Sequence, residues 1–174
     1  LAWARKPVSR LFDDGGFAVL RCGSALAMLR YPRFRFRPSQ SDALHLDLWL
    51  GERTLLRDAG TYSYNTDAPW LSYFPGTASH NTVQFDDHDQ MPRLSRFLFG
   101  DWLRTSYIEP ISEKDGVTRF GVAYKARCKI QHQRAACLSD TALKVIDKVE
   151  GFTSKAVLRW RLEPGHWRIE GSSL

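Results

Sequence analysis

The side chains with most chemical potential fall in the first half of this 174-residue chain. Arg33, Arg35 and Arg37 recur at a spacing of two, which on an extended strand sets three guanidinium groups along one face and Phe34 and Phe36 on the other. Arginine binds carboxylate and sulfate bidentately, so the stripe suits a polyanion. On an exposed edge strand the same charges would instead guard against aggregation. Tyr62 and Tyr64 share that spacing, and sugar rings stack on such aromatics, although core packing would claim at least one of them. Asp58 precedes Ala59-Gly60, where a carboxylate bonds the backbone of the turn it opens and can still ligate. His80, in Ser79-His80-Asn81-Thr82, offers an imidazole for ligation or cleft chemistry, or a hydrogen-bonded histidine inside the fold. Asn81 beside it suits a sugar contact or a loop. His45 points to the opposite face from Leu44 and Leu46 and offers a second imidazole that could ligate. His88, Asp89, Gln90 and Arg93 crowd a polar turn, and with His132 and His166 they read as solvated surface.

Cys22, Cys128 and Cys137 are odd in number and show no CxxC spacing, which argues against a disulfide framework or a zinc ribbon. Cys22 reads as a small buried hydrophobe. The net charge of +6 favours an anionic partner. No recognition helix, RNA-binding signature or finger spacing accompanies that charge, so nucleic acid is not expected as a partner. No run of eighteen apolar residues suggests a membrane span.

The elements that must position these groups read as strands. Leu44, Leu46, Leu48 and Leu50 alternate with His45, Asp47 and Trp49, the period-two signature of a half-buried strand. Similar runs occupy Phe17–Arg21, Ala25–Leu29, Thr82–Phe85, Trp102–Ile108, Val117–Tyr124, Leu143–Val149 and Ala156–Leu162, with a further strand-like piece at His166–Glu170. Turn formers such as Asp13-Asp14-Gly15-Gly16 punctuate them, and no amphipathic helical repeat with caps intervenes. The pattern predicts an all-β, antiparallel β-sandwich forming one unit over residues 1–174. The strand-poor stretch from Gly60 through Pro75 is a candidate binding loop. The start at Leu1 and the end at Leu174 look like the edges of a piece of a longer chain.

Three stretches together resemble the heparinase II/III-like β-sandwich: Arg37-Pro38-Ser39-Gln40-Ser41-Asp42-Ala43-Leu44-His45-Leu46-Asp47-Leu48-Trp49, Asp58-Ala59-Gly60-Thr61-Tyr62-Ser63-Tyr64-Asn65, and Ser79-His80-Asn81-Thr82-Val83. The trailing Asp86 to Gln90 fits as well. The resemblance implies the C-terminal sandwich of a polysaccharide lyase, preceded by a helical toroid, with an acidic polysaccharide in the cleft between them. It implies β-elimination, with much of the catalytic apparatus on the toroid, so that the fragment alone is inactive. It implies export to the periplasm or the extracellular space of a bacterium. In zinc-containing relatives the sandwich contributes a metal site, and the matching positions are Gln40, Asp58 and His80. Gln40 departs from the expected histidine and offers a neutral carbonyl oxygen where zinc prefers nitrogen or thiolate. A non-catalytic carbohydrate-binding or structural sandwich is the rival expectation, motivated by that departure. Either way, residues 40, 58 and 80 are expected to face one groove.

Overall fold

The computed structural model describes residues 8–168. Two antiparallel sheets face each other. The first runs in simple order through β1 (Arg10–Phe12), β2 (Phe17–Cys22), β3 (Ala25–Arg30), β4 (Leu46–Leu50) and β5 (Arg53–Leu56). The second is the meander β9 (Arg104–Lys114), β10 (Val117–Lys125), β11 (Gln131–Leu138) and β12 (Leu143–Glu150). Between them in sequence lie a six-residue helix α1 (Ala68–Tyr73), the strand β6 (Val83–Phe85) and a small hairpin of β7 (Arg93–Ser95) and β8 (Leu98–Phe99). β13 (Ala156–Leu158) returns to pair with β6.

Alternation builds the core. Ala18 and Leu20 of β2 and Ala25, Ala27 and Leu29 of β3 point inward against Phe120, Val122 and Tyr124 of β10 and Ala136 and Leu138 of β11. Alanines facing large rings let the layers interdigitate, and each fully buried large side chain contributes about 1.5–3 kcal/mol. Tyr31 closes one end, its ring 5.8 Å from Phe120 and its hydroxyl donating to Asp13 at 2.8 Å.

Several expectations need correction. The Arg33–Arg37 stretch is not a strand: Tyr31 to Gln40 is irregular, so no stripe of guanidinium groups lines a sheet. Arg33 pairs with Asp13 at 2.9 Å and Arg35 with Asp14, and Phe36 is 86% exposed. Each acidic residue of the turn after β1 thus takes one arginine. β4 begins at Leu46 because Leu44 adopts a left-handed conformation (φ 58°) inside the Asp42–His45 turn. Its opposite face is not solvated, for His45 and Asp47 are both buried. β11 carries no apolar alternation that would have revealed it, since its inward positions include His132 and Arg134. His132 is therefore core, not surface. His166 lies outside any strand, and residues 169–170 of that expected piece lie outside the described residues.

Candidate functional site

Three junctions meet at one end of the first sheet. The turn before β4 delivers His45, the segment leaving β5 delivers Asp58, and a single 3-10 turn, Thr77–Ser79, delivers His80 just ahead of β6. Their ligating atoms lie within 4.8 Å of one another, a His–Asp–His group of the kind that can hold a metal ion. His80 Nδ1 and Asp58 Oδ2 are 2.5 Å apart, and His45 Nδ1 is 3.7 Å from the same oxygen. Burial pushes the Asp58 carboxyl up, but the hydrogen bond and charge of His80, with His45 and the Gly60 amide, outweigh it and hold Asp58 below the usual carboxylate range.

The turn at Asp58 does what a carboxylate before Ala-Gly should do. Its Oδ1 accepts the Gly60 N–H at 2.6 Å, and Gly60 takes the left-handed φ of 79° that this tight return requires. Turn-making uses one oxygen and leaves the other for His80. The side chain of Asp58 remains 34% exposed, whereas His80 is 1% exposed.

His45 is already spoken for. Its Nδ1 accepts the backbone N–H of Asn81 at 3.0 Å, so Nε2 carries the proton and donates to Asp47 at 2.9 Å. Ligation through Nδ1 would require breaking the Asn81 bond. His80 differs: with Nδ1–H directed at Asp58, the lone pair of Nε2 is buried and has no partner. Gln40 Oε1 is likewise buried without a partner and has no hydrogen bond to Asp58 or His80. The structure brings Asp58 and His80 together with His45, whereas Gln40 lines the neighbouring aromatic pocket and no contact ties it to them. The unpartnered His80 nitrogen and the Asp58 carboxylate are the donors of this group that fit a divalent cation.

Asn81 is fully buried and does not face a groove, which corrects its reading as a sugar contact. Its amide donates to the carbonyls of Leu46 (2.9 Å) and Arg57 (3.3 Å) and accepts the Arg161 N–H at 2.6 Å. With its backbone also bonded to His45 and Arg134, it ties β4, the Asp58 segment and the chain after β13 into one knot. Asp89 and Gln90 are structural too: Asp89 accepts the Thr77 N–H at 2.7 Å, and Gln90 brackets Ala43 by accepting its N–H and donating to its carbonyl.

The aromatics stand outside this knot. Tyr62 and Tyr64 are 70% and 67% exposed, so neither is core. Tyr62 stacks on Phe74 at 5.3 Å, and Tyr64 meets Phe97 edge-on at 5.7 Å. Tyr64, Phe74, Phe97, Arg96 and Gln40 line one pocket, with Arg96 over the Phe97 ring at 5.5 Å. Arg93, in the same wall, spends its donors on the carbonyls of Leu71, Ser95 and Arg96. Sequence reasoning missed the Arg134 cluster that underlies the site, because nothing in Gln131–Leu138 marks an arginine as buried.

The antiparallel sandwich, with a His–Asp–His group at the end of its first sheet, defines the class of protein by its fold. The chain belongs to the heparinase II/III-like C-terminal family, whose profile matches residues 4–171. Among solved structures, it is similar to the heparinase III BT4657 gene product, at 18% identity and a TM-score of 0.74, with 95% of this chain and 26% of that one covered. It is also similar to the heparan sulfate lyase HepC from Pedobacter heparinus, at 18% identity and a TM-score of 0.69 over 91% of this chain and 24% of that one. A structure of heparinase III aligns at 19% identity and a TM-score of 0.59, covering 85% and 23%. The chain thus spans about a quarter of the length of these structures. No curated protein matches. Among the described residues no helix is long and apolar enough to cross a membrane.

Proposed function

We propose that this chain is the β-sandwich part of a polysaccharide lyase that cleaves an acidic, uronate-containing polysaccharide by β-elimination, with a helical toroid of the same longer protein forming the other wall of the cleft. The observation that carries the reading is the buried, unpartnered Nε2 of His80, whose ring is held by Asp58. A buried imidazole nitrogen without a partner is costly unless something occupies it.

In this reading Asp58 and His80 hold a divalent cation, zinc being one candidate, and His45 orients the knot from behind. When bound, the cation supplies positive charge to the uronate carboxylate as the adjacent proton departs. His80 is enclosed, so its part is to hold and orient, not to exchange protons with the polymer. Asp58, partly exposed, is the member of the pair that reaches toward the cleft. Tyr62 and Tyr64 present rings to sugar, while Arg37, with no ion pair among the described residues, and to a lesser degree Arg33 and Arg35, add positive charge at the rim. The base and acid of the elimination come from the toroid. Such an enzyme would work in the periplasm or outside the cell.

The test uses the complete protein on heparan and alginate polymers, following ultraviolet absorbance from unsaturated uronate ends alongside metal analysis. The expected result is product formation and a stoichiometric metal, both lost in His80→Ala. A folded, full-length protein that yields no product on any uronate polymer overturns the reading. Polymer binding without product would favour the rival, a non-catalytic carbohydrate-binding sandwich.

A further inference from the structure

At the far end of the Tyr31–Gln40 segment, a second concavity lies apart from the His–Asp site. It is an open groove of about 660 Å³ walled by Phe34, Trp102, Arg104, Lys125 and Arg127. That volume is in the range of sites that take small ligands.

Three features of the groove point to a ligand. First, the β9–β10 register sets Arg104 directly opposite Lys125. Like charges at directly opposed positions destabilise a ladder, and neither residue has an acidic partner among the described residues. Among those residues the one carboxylate lining the groove, Asp101, is paired with Arg127 at 2.7 Å. Second, the ladder is irregular between Ala123 and Tyr124, next to this pair, and bulges of that kind re-aim side chains beside sites. Third, Trp102 presents a ring that is 40% exposed and held in place. Its indole N–H donates to the Phe99 carbonyl at 2.7 Å, and Phe34 packs on it edge-on at 6.5 Å.

We propose that this groove is a secondary subsite for an acidic saccharide, with a sugar ring on Trp102 and its carboxylate or sulfate between Arg104 and Lys125. The inference rests on the acidic-polysaccharide reading above for its choice of ligand. Phe34 and Gln40 are six residues apart, at most about 20 Å of extended chain, so one polymer can occupy both places. The groove then acts as an anchor that holds the polymer while the other end lies in the cleft.

The experiment measures affinity of the full chain for size-defined heparin oligosaccharides, and for uronate oligomers without sulfate, by titration at two salt concentrations. Arg104→Glu/Lys125→Glu should weaken binding at least about tenfold and flatten its salt dependence, the loss expected when charge-assisted bonds are removed. Trp102→Ala should weaken it by a similar factor, about tenfold, with Trp102→Phe close to wild type. Reversal of Lys144 and Lys148, exposed on β12, is the control and should change affinity less than about twofold. Thermal melts establish that each variant is folded. Wild-type affinity in the Arg104/Lys125 variant, or an equal loss in the control, overturns the proposal. Equal affinity for single-stranded DNA of matched charge overturns the choice of a saccharide. A wild type that binds oligosaccharide through this groove yet releases no unsaturated product leaves the subsite standing and removes only the lyase reading. Product formation with affinity indifferent to the groove does the reverse.

Discussion

Of the histidine–aspartate pairs among the described residues, Asp58–His80 and Asp147–His132 make the sharpest contrast, and their difference says more about function than either does alone. Asp58–His80 spans 2.5 Å and Asp147–His132 spans 2.7 Å, each histidine is buried, and each keeps one ring nitrogen without a partner. By motif and distance they are alike. They part over counter-charge and setting. Asp147 lies within the β11–β12 ladder directly opposite Arg134, whose guanidinium grips both of its oxygens at 2.7 and 3.1 Å. Asp58 has no arginine, lies in irregular chain and is partly open to solvent. A carboxylate saturated by a buried guanidinium has nothing left for a ligand, whereas one held only by an imidazole and a turn amide does. Asp147–His132 is a fastening, and Asp58–His80 is the pair left free to serve the proposed site.

The two are mechanically joined. Arg134 also donates to the carbonyls of Leu44 and Asn81, both at 2.6 Å, and these are the residues next to His45 and His80. It thereby holds the left-handed turn at Leu44, a conformation that costs a leucine on the order of 1–3 kcal/mol. The largest effect is expected here. Arg134→Met strands a buried carboxylate and should cost about 3–5 kcal/mol, a fall in melting temperature of roughly 10 °C. Replacing both partners, Arg134→Met with Asp147→Leu, should restore most of that stability, because apolar pairs commonly substitute for buried ion pairs. The carbonyls of Leu44 and Asn81 would still lack their donor, so metal affinity at Asp58 and His80 should stay weakened in the double variant. Full recovery of metal binding along with stability would show that the fastening does not serve the site.

An intermediate effect is expected from acid. Burial alone would raise the Asp147 carboxyl, but the bonds from His132 and Arg134 prevail and hold it at about 2, below the ordinary 3.8. Burial pushes His132 below 6.5, against the pull of Asp147. In both cases the unfolded chain takes up protons more readily than the folded one, so stabilisation is complete above the unfolded values and fades as pH falls. The His132 part should decline from about pH 6.5 downward and the Asp147 part between about pH 4 and 2, the latter amounting to about 2 kcal/mol. Urea unfolding across that range should show the lower step shrinking in Asp147→Asn. An unchanged pH slope in that variant would mean that other carboxylates drive acid unfolding.

The same contrast explains what was legible beforehand. The sandwich and most of its strands announce themselves through period-two apolar alternation, as in Phe17–Cys22 and Val117–Lys125, and the Asp58 and His80 stretches through family resemblance. β11 was silent because burial there is achieved by compensation: His132 and Arg134 are tolerated inside only because Asp147 stands across the ladder, a pairing of residues thirteen and fifteen apart that no local pattern encodes. The arginine stripe failed for the converse reason. Spacing of two implies a shared face only if the backbone is a strand, and Asp13 and Asp14 draw Arg33 and Arg35 into a loop instead. His45 was seen, but its tautomer depends on the Asn81 amide and could not be.

The smallest expected change in stability belongs to Asp58–His80, the pair proposed to carry the chemistry. Asp58→Asn keeps a carbonyl oxygen for the Gly60 N–H and buries no new charge, losing only the hydrogen bond from His80, so it should cost about 1–2 kcal/mol. Yet it removes the negative charge that holds the His80 ring and neutralises a cation, so stoichiometric metal and uronate elimination in the full-length protein should both be lost. A stability loss as large as that of Arg134→Met would place Asp58 among the fastenings. Retained metal with the asparagine in place would mean that the ion does not need the Asp58 charge, and that the open carboxylate serves the polymer instead of the ion.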